Sequence, residues 1–127
     1  MVKAVEAARK AARKAQESLY SGLATVTEHR KVKDEKTKLV SYQDVVVLEN
    51  EPCQVSFKTG NIANQSESAA AVTQITELFI APELKINPGS KITVTQNGVT
   101  TDYTYSGVPA VYDTHQQIIL DLFEQWA

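Results

Sequence analysis

The stretch KITVTQNGVTTDYTY, Lys91 to Tyr105, decides the fold class. Ile92 and Val94 alternate with Lys91, Thr93 and Thr95, the period-two pattern of a strand with one face in a core. Asn97-Gly98 then supplies two adjacent residues that tolerate positive φ, as a type I′ hairpin turn requires. Val99, Thr101, Tyr103 and Tyr105 alternate with Thr100, Asp102 and Thr104 on the return. A lone hairpin is not stable in water, so further strands must cover its apolar face.

Working outward, those strands are present on both sides. Residues 23–32 are rich in Thr and Val, 33–38 (KDEKTK) form a charged turn, and 39–49 read as a second strand region. The run Val45 to Leu48 predicts burial on both faces. Glu49-Asn50-Glu51-Pro52 is read as a break, because Pro52 removes a backbone donor. Cys53, Val55 and Phe57 then alternate with Gln54 and Ser56. Residues 72–80 return to β, and Asn87-Pro88-Gly89 turns the chain into the hairpin. At the C-terminus Ile118, Ile119, Leu122, Phe123 and Trp126 fit helical spacing, while Ile118, Leu120 and Leu122 also alternate, so residues 115–126 read as either helix or strand.

The expected architecture is mainly β: a small antiparallel β-barrel or sandwich of about six or seven strands, with one N-terminal α-helix and a long flexible loop. Residues 1–20 form the helical segment, and 21–127 the β domain with a mobile loop at 59–71 (TGNIANQSESAAA). Over residues 2–19, Ala4, Val5, Ala8, Ala11, Ala12, Ala15 and Leu19 share one helical face, with charged residues opposite. Gly22 is a plausible stop.

Composition bounds the function classes. The apolar fraction of 43% and charged fraction of 22% over 127 residues are those of one ordinary domain. The single Cys53 excludes an internal disulfide, no apolar run has the length of a membrane span, and no signal core opens the chain. A soluble intracellular protein is expected. The net charge of −2 is unevenly spread: Lys3, Arg9, Lys10, Arg13 and Lys14 outweigh Glu6 and Glu17 in the first 20 residues, a balance of +3 that leaves −5 for the rest. A basic arm on an acidic body fits an acidic partner surface or nucleic acid; a solvated helix face is the plainer reading.

Site chemistry is sparse. Cys53 with His29 or His115 is the one nucleophile–base combination, but its apolar neighbours at period two place Cys53 in the core. The two histidines lack the clustering of metal ligands. No catalytic, cofactor or metal site is expected. Tyr103, Tyr105 and Tyr112 could stack on bases, as on a barrel that binds single strands, or pack across strands.

The chain resembles a family of small head-completion, minor capsid or head–tail joining proteins of tailed phages and prophages. The resemblance spans roughly residues 20–126. It lies in Glu51-Pro52-Cys53-Gln54-Val55-Ser56, Leu78-Phe79-Ile80-Ala81-Pro82-Glu83-Leu84, Ile86 with Pro88-Gly89-Ser90, and Tyr112-Asp113-Thr114-His115-Gln116. Family members tend to carry an apolar residue before Pro-Cys and a basic one after it, where this chain has Glu51 and Gln54. The resemblance implies a non-enzymatic, stopper-like small barrel that assembles as a homo-oligomeric ring beneath the portal and adaptor, retains packaged double-stranded DNA and offers a docking surface to tail proteins. Such a subunit would be located in the virion, at the head–tail interface, and in the host cytoplasm during assembly, without a membrane. It also implies a strand at the C-terminus and a channel or gating loop. By position that loop is Gly60, Asn61, Ile62, Asn64, Gln65, Ser66, Glu67 and Ser68. Beyond the resemblance, the basic face of the N-terminal helix supplies Lys3, Arg9, Lys10, Arg13 and Lys14 as contacts of an assembly arm to a neighbouring subunit or an acidic adaptor surface. The alternative is a small barrel that binds single-stranded nucleic acid or another extended ligand.

Overall fold

The computed structural model describes residues 2–61 and 72–126. Helix α1 (Val2–Ser18) precedes strands β1 (Gly22–Lys33), β2 (Val40–Asn61), β3 (Val72–Ile80), β4 (Lys91–Gln96), β5 (Val99–Thr104), β6 (Ala110–Val111) and β7 (Gln116–Leu122). All pairings are antiparallel, in the order β3-β2-β1-β4-β5-β7-β6, and β3 also pairs with β7. The sheet therefore closes on itself through six strands, which removes the free edges that an open sheet of this size would leave along its centre.

The β4–β5 hairpin forms as its sequence predicts. Asn97 and Gly98 both have positive φ, 53° and 76°, and Ile92 pairs with Tyr103. The core comes from one face of each main strand: Ala24 and Val26, Cys53 and Val55, Leu78 and Ile80, Ile92 and Val94, Tyr103, and Ile118 and Leu120. Ile86 and Tyr105 close it from the connections. Residues 116–122 are a strand, since β7 pairs with β3 through Thr76–Ile80 and meets β5 at Tyr103 and Thr104. Ile118 and Leu120 point inward while Ile119 faces out. Long-range pairing decides here between two patterns that the local sequence carries equally.

Three expectations are corrected. First, β2 is one strand of 22 residues, unbroken at Pro52. Its pairing with β3 starts only at Cys53, so Pro52 borders a stretch of β2 whose outer side has no strand, where a missing donor costs nothing. Second, the run Val45 to Leu48 is not buried on both faces: Val46 is 54% exposed. The register slips twice between Ala24 and Thr27 of β1, so β2 carries two extra residues there, with Asn50 at φ 51°. These bulges change which side chains face in, and Val47 and Leu48, though consecutive, both pack on the core. Third, the segment 59–71 is not loop throughout. Thr59, Gly60 and Asn61 belong to β2 and pair with Gln74, Thr73 and Val72 of β3. Ile62, Asn64, Gln65, Ser66, Glu67 and Ser68 lie outside the described residues.

The ends of β2 outrun the closed body. β4 pairs with β1 only over Leu23–Thr27, so Glu28–Lys33 and Val40–Val45 continue alone as a two-stranded arm. Its turn is held by Asp34: the Leu39 carbonyl accepts from Asp34 N–H (2.8 Å), and the Asp34 carboxylate accepts from Lys36 N–H (2.9 Å). At the other end, Lys58–Asn61 and Val72–Ile75 run past the start of the β3–β7 pairing and form a second arm.

Candidate assembly surfaces

Helix α1 forms for the reasons its composition gives, with alanines at interior positions and Arg13 paired to Glu17 four residues on (2.7 Å). Lys3, Arg9, Lys10 and Lys14 are exposed, as are Val5 and Leu19. Two ion pairs join the helix to the β body. Arg9 Nε lies 3.5 Å from Asp113 Oδ2, and an Arg13 terminal nitrogen donates to Glu83 Oε1. Arg13 holds the Glu83 carboxyl below the usual carboxylate range, and Glu83 and Glu17 in turn keep the Arg13 guanidinium more firmly protonated. Each group is at least a third exposed, so these pairs orient the helix more than they anchor it.

The two acidic partners come from separate connections that Gln116 ties together. Gln116 is buried and its side-chain amide donates to the carbonyls of Ala81 (2.8 Å) and Leu84 (2.6 Å). The turn bearing Glu83 is thus pinned to the start of β7, three residues after Asp113. Tyr112 N–H donates to the His115 carbonyl (2.8 Å), closing the intervening turn, and the His115 ring packs between Tyr112 and Phe79. Tyr-Asp-Thr-His-Gln is thus a scaffold for one acidic corner. Farther along, Tyr105 OH donates to the Ile86 carbonyl, and Gly89, at φ 86°, donates its N–H to the Tyr105 carbonyl (2.9 Å).

A second polar device sits at the start of β1. Gln96 on β4 accepts from Val55 N–H (2.8 Å) and donates to the Val55 carbonyl (3.0 Å), so its side-chain amide stands in for a strand where β1 has ended. Gly22 is required beside it, since a Cβ there would come within 2.9 Å of Gln96 Oε1 and 3.2 Å of the Cys53 carbonyl.

The β1–β2 arm carries Leu39, Val40 and Tyr42 exposed. At its base the His29 ring is stacked between Tyr42 and Trp126, each centroid 4.9 Å away, and His29 Nδ1 meets Asp44 Oδ1 at 3.0 Å. The residues after β7 thus brace the arm: Phe123 donates its N–H to the Asp102 carbonyl (3.1 Å) and meets Trp126 edge-on. No sequence pattern pointed to this stack, whose members come from β1, β2 and the C-terminal tail.

The residues considered for chemistry are dispersed. Cys53 is fully buried and burial pushes its thiol up to about 12, while His29 bonds Asp44 and His115 bonds Thr114 and Gln117. Tyr103 and Tyr105 are 7% and 2% exposed, so neither can offer its ring to a base; Tyr112 is half exposed and stacks on His115. Among the described residues no cluster of three metal-binding side chains occurs, and no helix is long and apolar enough to cross a membrane.

No family model and no curated protein matches this chain. Among solved structures, it is similar to the phage-like element PBSX protein xkdH from Bacillus subtilis, at 11% identity and a TM-score of 0.47, covering 79% of this chain and 91% of that one.

Proposed function

We propose that this chain is a structural subunit of a phage or prophage particle, of the head-completion or stopper kind, and not an enzyme. The observation that carries the reading is the build of β2: one strand serves a closed body and extends beyond it at both ends as two-stranded arms. Unshared arms, with Leu39, Val40 and Tyr42 exposed along one and Phe57 exposed at the root of the other, are surfaces that a subunit uses and an isolated domain has no need of. Copies of the chain would form a ring below the portal and adaptor, help keep packaged double-stranded DNA in the head and receive tail proteins. Alone it would be monomeric. The sequence resemblance supplies the particle; the arms supply the means of contact. The competing reading, a barrel that stacks single-stranded nucleic acid, loses its platform with Tyr103 and Tyr105 buried.

The test is genetic and biochemical together. A prophage lacking this gene should fill its heads, lose the DNA to nuclease and lack joined tails. Added wild-type protein should restore tail joining, and a protein shortened across Lys33–Val40 should not. Heads that are complete and infectious without the gene would refute the reading.

A further inference from the structure

We propose that α1 exchanges between copies of this chain, so that Arg9 and Arg13 of one copy pair with Asp113 and Glu83 of a second. The inference extends the assembly reading by naming the partner of the basic arm. Within one chain the same pairs exist, but they are solvent-exposed, and exposed ion pairs hold their partners only weakly. Over Lys3–Ser18 of α1 only Arg13, Gln16 and Glu17 are even partly buried. The acidic corner, by contrast, is built without the helix: Gln116 holds the Glu83 turn, and the Tyr112–His115 bond fixes the Asp113 turn. A preformed receptor and a weakly held basic helix match in charge, +3 on the first 20 residues against −5 on the rest.

The connection permits the exchange. The last helical bonds run from Leu19 N–H and Tyr20 N–H to the Gln16 and Glu17 carbonyls, and Ser21 is already fixed to the body through Gln54 (3.0 and 3.1 Å). Only Leu19 and Tyr20 lie between helix and anchor, and a short hinge favours exchange of an end element at little cost. In a ring of the kind proposed above, a neighbour's acidic corner is a tethered partner rather than a free one, which raises its effective concentration far above that of dilute solution.

The test uses two charge-swapped full-length chains in low salt. One carries Arg9→Glu and Arg13→Glu with a nitroxide at Lys14→Cys. The other, isotope-labelled, carries Glu83→Lys and Asp113→Lys. Within each chain helix and corner repel; between the chains they attract in both directions. Mixing should broaden the amide resonances of residues 81–85 and 112–114 of the labelled chain, and reducing the nitroxide should restore them. A single chain with all four charge changes and the same nitroxide, isotope-labelled, should broaden its own corner, which shows that the altered helix still docks. Unchanged spectra on mixing, broadening away from the corner, or failure of the four-change chain to dock would each overturn the proposal. None of these results depends on whether the protein completes phage heads.

Discussion

Replacing Gln116 by Met separates the polar role of this side chain from its bulk, because Met is similar in length and flexibility. Gln116 is 3% exposed and donates two hydrogen bonds, to the carbonyls of Ala81 and Leu84. Each bond contributes about 0.5–1.5 kcal/mol net, and a carbonyl left dry costs about 1–3 kcal/mol. The Ala81 carbonyl keeps a second donor, Leu84 N–H at 3.3 Å, whereas the Leu84 carbonyl loses its bond to Gln116. Both turn residues are half-buried, so water reaches the site only if the turn lifts. The expected loss is therefore about 2–4 kcal/mol, read in urea as a lower midpoint at unchanged m. In a chain of 127 residues it lowers the thermal midpoint by roughly 10 °C. Because the same turn carries Glu83, the Arg13 contact should loosen as well, seen as faster amide exchange in 81–85. A loss below about 0.5 kcal/mol would refute the clamp, since it would mean that the carbonyls are hydrated at no cost.

Cys53 should react slowly with a thiol reagent in the native protein and quickly in urea, and Cys53→Ser should cost about 1–3 kcal/mol by burying a hydroxyl; rapid native labelling would contradict the core assignment. Its folded value of about 12 lies above the ordinary 9.0, so its stabilising effect is complete below pH 9 and is lost as pH rises toward 12, measured as a urea midpoint that falls more steeply in wild type than in Cys53→Ala, where the half-buried Tyr20 and the buried Tyr105 still titrate upward of their ordinary value. Glu83 has the opposite sign: its folded value lies below 4.5, so its pairing with Arg13 persists above that pH and is lost on further acidification, observed as a loss of contact between α1 and the Glu83 turn that Glu83→Gln shows already at neutral pH. Removing residues 1–19 should shift the thermal midpoint by only a few degrees while blocking incorporation into particles; unfolding of the shortened chain would make α1 a core element.

What the sequence made legible was local. Asn97-Gly98 determines its own turn, and period two over Ile92, Val94, Cys53 and Val55 depends only on which face is wet. Pro52 does not break β2 because a proline is harmful only where a neighbour needs its N–H, and that the pairing with β3 begins at Cys53 is a tertiary fact. The run Val45 to Leu48 misled for a related reason: two bulges opposite Ala24–Thr27 change the inward phase, and a bulge is visible only against its partner strand. The acidic corner was hidden because Glu83 and Asp113 lie 30 positions apart and meet only through Gln116. Composition supplied the basic helix and the acidic remainder, but not the two carboxylates that receive Arg9 and Arg13.

The placement of these features follows from one strand. A closed sheet needs its neighbours only over the length that the core can fill, and here the inward face of β2 is deeply buried at Cys53 and Val55. β2 pairs with β1 alone before Cys53 and with β3 alone after it, and the arms are the parts where those partners have no further neighbour either: Val40–Val45 on β1, the lower arm, and Lys58–Asn61 on β3. Two-stranded ribbons are marginal by themselves in water. The lower arm is therefore braced at its base, where Trp126 covers one face of His29 and Tyr42 the other. Substituting Trp126 by Ala should free the lower arm without touching the closed body: hydrogen exchange should rise in Glu28–Lys33 and Val40–Val45 and stay unchanged in Ile92–Val94 and Ile118–Leu120. Equal acceleration in both sets would mean that arm and body unfold as one unit, and that the arm is not an independent surface offered to a neighbour.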